Sequence, residues 1–122
     1  MPYDRERHGP RRLVGPGFHG RVHGLVHTLP VGALTTYGDL AAALGANGLA
    51  RHVGFALAAL PPGTGVPWWR VVAAGGRISL TGAAAREQGR RLRAEGHVVR
   101  GDRVATFATC RYPWPGTGPG GP

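Results

Sequence analysis

Apolar residues recur along the chain in blocks whose spacing alternates between helical and extended. Phe18, Val22, Leu25, Val26 and Leu29 fall at i, i+4, i+7, i+8 and i+11, one apolar stripe of an amphipathic helix over 18–29. Pro30 and Gly32 end it. Thr36 can then cap exposed amides, with Asp39 at the positive end of a second, short helix over 37–44. Gly45-Ala46-Asn47-Gly48 forms a turn, and a third helix over 49–60 is stopped by Pro61-Pro62. Two short helices joined by a Gly-containing turn outline a helix-turn-helix, an outline that many helical pairs share.

The pattern then changes period. Residues 67–72 read as a strand, Gly75-Gly76 as a tight turn and Arg77-Ile78-Ser79 as the returning strand. A fourth helix over 83–94 turns Leu92 inward and a Glu87–Arg91 pair outward. Val98-Val99, a Gly101-Asp102 turn and residues 104–107 suggest a small terminal hairpin. The expectation is one α+β, mostly helical domain over 17–110. A flexible basic arm over 1–16 precedes it, and a Pro/Gly-rich tail over 111–122, with nothing to bury from Pro113 on, follows.

Charge sharpens this picture. The chain has 15 Lys+Arg against 6 Asp+Glu, a net +9, and every cation is Arg. A coding bias toward Arg, Gly, Ala and Pro explains the missing Lys but not the surplus of cations over anions. Such a surplus suits a polyanion, and the guanidinium fork suits phosphate, so nucleic acid is the favoured partner. The single Cys110 excludes an intrachain disulfide and a multi-cysteine zinc site. His19, His23 and His27 share a helical face but lack a carboxylate or Cys to complete a metal site. With no membrane-spanning run or signal peptide, the expected location is cytoplasmic, with the nucleoid if the source is bacterial.

One face of the third helix is nearly bare, since Ala50, Gly54 and Ala58 recur at i, i+4 and i+8 with Arg51 beside them. Close packing against another helix and close approach to an external partner both produce such a face.

The runs TTYGDLA (35–41), ARHVGFAL (50–57), PWWRVV (67–72), RISLTG (77–82) and LRAEG (92–96) stand in an order and spacing that resemble the DNA-binding domain of O6-alkylguanine-DNA alkyltransferases. The likeness covers residues 18–99, nearly all of the expected ordered chain, and implies a winged-helix-like helix-turn-helix domain of that type. Those enzymes carry a Pro-Cys-His-Arg-Val motif whose thiolate accepts the alkyl group. Trp68 stands at the Cys position here, which is the exchange that marks the alkyltransferase-like proteins. The run LPPGTGVPW (60–68) is also closer to that subfamily. An indole has no usable lone pair for in-line displacement, so no alkyl transfer is expected. Cys110 lies outside the motif and is not expected to replace the thiol.

The remaining roles are what the resemblance implies. Arg51 matches the finger that enters the minor groove and replaces an extruded base, with Ala50 and Gly54 small so that the helix fits. Tyr37, behind the cap Thr36, matches the Tyr that crowds the 3′ phosphate and helps rotate the nucleotide outward. A lesion pocket follows from Trp68, from the carbonyls of Trp68 and Val71, and from the covering loop Thr81-Gly82, where relatives often carry a larger Tyr or Arg instead of Thr81. Trp69 replaces a His that in the enzymes pairs through water with a Glu matching Glu95 and helps ionise the thiol, and it faces either pocket or core. Arg70 and Glu95 read as structural. The expected ligand is duplex DNA containing O6-alkylguanine, bound by a monomer without cofactor or metal and flagged for nucleotide excision repair proteins. The alternative is a minor-groove binder or regulator indifferent to lesions.

Overall fold

A computed structural model describes residues 16–115. Helix α1 (Pro16–His27) carries the first apolar stripe, and Phe18, Val22 and Val26 are fully buried. Leu29 completes the stripe from outside the helix, because α1 closes in tightened turns from Thr28 N to Leu25 O and from Leu29 N to Val26 O. His23 Nε2 donates to the Ala56 carbonyl at 2.6 Å, so one of the three spaced imidazoles ties this helix to its neighbour.

Strand β1 (Thr35–Thr36) leads directly into α2 (Tyr37–Ala43). Thr36 is extended, and its Oγ1 accepts from Asp39 N at 2.9 Å, the cap read from the sequence. Helix α3 (Ala50–Ala58) turns Val53 and Ala56 into the core formed with α1 and α2. A short 3-10 turn, Trp68–Arg70, precedes β2 (Val71–Val72). Helix α4 (Gly82–Ala94) buries Gln88, Gly89 and Leu92, and its Glu87 pairs outward with both Arg90 and Arg91.

The expected strand over 67–72 is mostly a 3-10 turn, and β2 pairs in parallel with β1, Thr35 opposite Val71 and Thr36 opposite Val72. The returning segment contributes only bridges, from Arg77 to Ala73 and to Arg103. The physical reason is burial on both faces: Val71 belongs to the core under α1–α3, and Val72 to a second cluster with Leu34, Ile78, Leu92 and Val104. A strand buried on both sides reads as a continuous apolar run, which does not reveal its partner. The Gly75-Gly76 turn itself is present. Gly76 has φ +87°, and a Cβ there would lie 2.6 Å from Phe107 Cβ, so both backbone shape and space require glycine.

The terminal hairpin is β3 (Val99–Arg100) against β4 (Arg103–Val104), and it is shorter than expected. Phe107 opens a helical turn, α5 (Phe107–Cys110), where its ring packs into the second cluster.

The expectation that the chain buries nothing from Pro113 on is overturned. Arg111 bridges Leu34, Tyr112 N donates to Leu34 O at 2.7 Å, and Trp114 is only 5% exposed in the first core cluster. Its Nε1 donates to the buried Thr35 Oγ1 at 2.8 Å. Arg111 also grips Asp39 of α2 at 2.7 Å. A large indole with a satisfied N–H gains more by burial than a loose tail gains in freedom. The expected arm over 1–16 falls almost wholly outside the described residues. Among the described residues no helix is long and apolar enough to cross a membrane.

Candidate nucleic-acid interface

Helices α2 and α3 set the recognition surface. Val53 and Ala56 anchor α3 inward, which turns Arg51, Phe55 and Ala58 to solvent. Ala50 and Gly54 lie half-buried at the edge of that face. A Cβ built on Gly54 would meet the Tyr37 ring at 4.0 Å, an ordinary contact. Packing inside the protein therefore does not require glycine at 54.

Beside that face opens a cavity of about 440 Å³. Tyr37, Gly54 and Ala58 form one side, with Trp68, Leu80 and Arg91 across from the helix pair in the chain. Val71 lines it as well, so Trp68 and Val71, expected in a pocket, share one cavity with Tyr37 and Gly54, expected on the DNA-facing surface. Thr36 caps α2 from beneath, and Ala50 and Arg51 sit on the recognition face outside the cavity. Thr81 and Gly82 do not line it: both are exposed at the start of α4, and Leu80 and Ala84 contribute the wall instead. Cys110 packs against the second cluster and is not part of the lining.

Trp69 points away from the cavity, correcting its assignment to the lesion pocket. Its Nε1 donates to Glu95 Oε2 at 2.7 Å. Arg70 binds the same carboxylate through Nε and NH2, at 3.0 and 2.7 Å, and donates through NH1 to the Leu29 carbonyl at 2.7 Å. Gly32 N donates to Glu95 Oε1 at 3.0 Å. Burial opposes ionisation of Glu95, but the Arg70 guanidinium, the Gly32 amide and the Trp69 indole outweigh it and hold the carboxyl below its usual range. Both Arg70 and Glu95 are thus structural, fixing the turn that presents Trp68.

Two further residues bear on this site, and of the two only Arg91 lines the cavity. Gln88, 1% exposed, donates from Nε2 to the Trp69 and Val71 carbonyls at 3.1 and 2.8 Å. The Trp68 carbonyl accepts from Val71 N. The Trp68 and Val71 carbonyls expected to receive a base are therefore each already engaged by a donor of the protein. Arg91 stacks over the outer ring face of Trp69 at 4.5 Å from its centroid and reaches the cavity. The sequence marked Arg91 only as the outward partner of Glu87. Its contact with Trp69 depends on the 3-10 turn, which spacing on α4 does not report.

Residues 17–97 match the family described as 6-O-methylguanine DNA methyltransferase, DNA binding domain. A DNA base-flipping protein of Vibrio parahaemolyticus is 39% identical over 94 residues, 77% of this chain and 92% of its own length. Alkyltransferase-like protein 1 of Schizosaccharomyces pombe is 40% identical over 78 residues, 64% of this chain and 72% of its own. This chain belongs to the alkyltransferase-like, or DNA base-flipping, family. The crystal structure of S. pombe Atl1 in complex with damaged DNA containing O6-carboxymethylguanine superposes with a TM-score of 0.73 at 31% identity, covering 79% of this chain and 94% of that one. In this chain the order α1–β1–α2–α3–β2–α4 brings the helix pair and the Trp68 turn to one cavity.

Proposed function

We propose that this protein binds duplex DNA through the minor groove, extrudes an O6-alkylated guanine into the cavity walled by Trp68, and holds it without transferring the alkyl group. The observation that carries the reading is adjacency. A cavity of nucleobase size, about 440 Å³, opens beside a bare helix face bearing the exposed Arg51. Extrusion costs a few kcal/mol of unstacking. Arg51 in the vacated stack, Tyr37 against the turning phosphate and the apolar wall against the alkyl group offset it. Trp68 offers surface and an N–H donor but no nucleophile, and Cys110 lies elsewhere, so among the described residues no thiol lines the cavity to accept the alkyl carbon. The bound, bent duplex is then the signal handed to nucleotide excision repair proteins, in the cytoplasm, by a monomer.

The test is a competition titration at fixed physiological salt, on matched duplexes with guanine or O6-methylguanine at one position. A preference of about tenfold or more, with the recovered DNA still alkylated, is expected. Equal affinity for both duplexes would instead make this a general minor-groove binder with Trp68 as filling. Arg51→Ala and Tyr37→Ala should weaken lesion binding with the fold intact, although Tyr37→Ala also removes a ring packed against the core and should lower the unfolding midpoint.

A further inference from the structure

Phe55 is the only exposed Phe, Tyr or Trp among the described residues, with 51% of its surface open. It belongs to neither core cluster. Its ring instead meets two side chains of its own helix: Arg51, with Cζ 5.6 Å from the ring centroid, and His52, edge-on at 5.7 Å. Folding therefore gives this ring little reason to be aromatic.

Its position on α3 is specific. At about 100° per residue, Phe55 lies roughly 40° from Arg51 around the helix and one turn, about 6 Å, further along. Gly54 lies about 60° from Arg51 in the opposite sense, toward the cavity. Arg51 thus separates the cavity side of the recognition face from the Phe55 side. A minor groove about 6 Å wide receives a helix only through a bare face. A benzyl group on that surface must either hold the helix out of the groove or enter the base stack.

We propose that Phe55 is an apolar wedge that enters the minor groove beside Arg51, on the side away from the cavity, and unstacks a second base step. This rests on the lesion-binding reading above. Arg51 occupies the gap left by the extruded base, and Phe55 opens the neighbouring stack, so the duplex kinks away from α3. The stack of Arg51 on Phe55 keeps both side chains aligned before DNA arrives.

The experiment compares the parent protein with Phe55→Ala and Phe55→Leu on duplexes containing O6-methylguanine or guanine. End-to-end energy transfer reports the bend, and competition titration the affinity. Phe55→Ala should bind both duplexes about tenfold more weakly and lose most of the bend, while the ratio between the duplexes stays. Phe55→Leu, still an apolar wedge, should retain the bend. Phe55→Ala matching the parent in bend and affinity overturns the wedge while leaving lesion binding intact. Phe55→Leu failing like Phe55→Ala also overturns it, since the ring would then act by positioning Arg51. A parent that shows no lesion preference refutes the lesion reading itself, and the bend comparison on plain duplex still decides the wedge.

Discussion

Trp114→Ala removes a side chain that is 5% exposed in the core beneath α1–α3 and deletes the donor to the buried Thr35 hydroxyl. Truncating a buried aromatic to Ala costs about 3–5 kcal/mol, and orphaning a buried hydroxyl adds about 1 kcal/mol or more. Against a total stability of roughly 5–15 kcal/mol for a domain of this size, that is a large share. The melting temperature should fall by 15 °C or more, at roughly 4–8 °C per kcal/mol. Trp114→Phe keeps the ring volume nearly filled and loses mainly the N–H, so its loss should be about 1–2 kcal/mol. Thr35 precedes the cap of α2, so the damage reaches the element that carries Tyr37. Urea unfolding followed by far-ultraviolet circular dichroism measures both variants, with binding checked well below the transition. A loss under 1 kcal/mol for Trp114→Ala would mean that the terminal segment does not hold the core, and the reasoning from burial would fail.

Three other outcomes follow from the geometry. Gly54→Ala should gain up to about 1 kcal/mol in helix stability, because the added methyl meets only an ordinary contact with Tyr37, yet should weaken DNA binding; stability and affinity moving in the same direction would contradict the groove-facing assignment. Glu95 is held below its ordinary pKa, so its contribution is complete above the unfolded value of about 4.3 and declines as pH falls through the lowered folded value. Urea midpoints across pH 2–7 should show this acid limb in the parent and a diminished one in Glu95→Gln. Arg91 brings net positive charge to the cavity, since Glu87 serves Arg90 as well. Arg91→Met should therefore reduce binding of O6-carboxymethylguanine duplexes several-fold more than binding of O6-propylguanine duplexes in the same competition assay.

The sequence made the helices legible because each obeys a local rule. The stripe from Phe18 to Leu29, the Thr36 cap and the Pro61-Pro62 stop all act within one or two turns, and all three are present in the fold. Motif order singled out Trp68, Tyr37 and Gly54, but that all three line one cavity is visible only in the fold. What was hidden depended on distant partners. Nothing near Val71 indicates that its neighbour is Thr35, and nothing near Trp114 indicates a waiting hydroxyl across the chain. Composition misled at the C-terminus, where Pro and Gly surround an anchoring indole. Trp69 could be placed only once Glu95 and Arg70 were seen to converge on it.

The Trp69–Glu95 bond also bears on whether a thiol placed at 68 could be put to chemical use. A cysteine introduced there would find beside it an indole, which cannot take its proton, and Glu95 is already engaged by Trp69, Arg70 and Gly32. A histidine introduced first at 69 would strip Glu95 of its indole donor and Arg91 of the ring it covers, with no thiol to serve. Neither exchange alone supplies an activated thiol. The two adjacent tryptophans are thus coupled through Glu95 and Arg91, so that chemistry at this turn would have to be installed as a set.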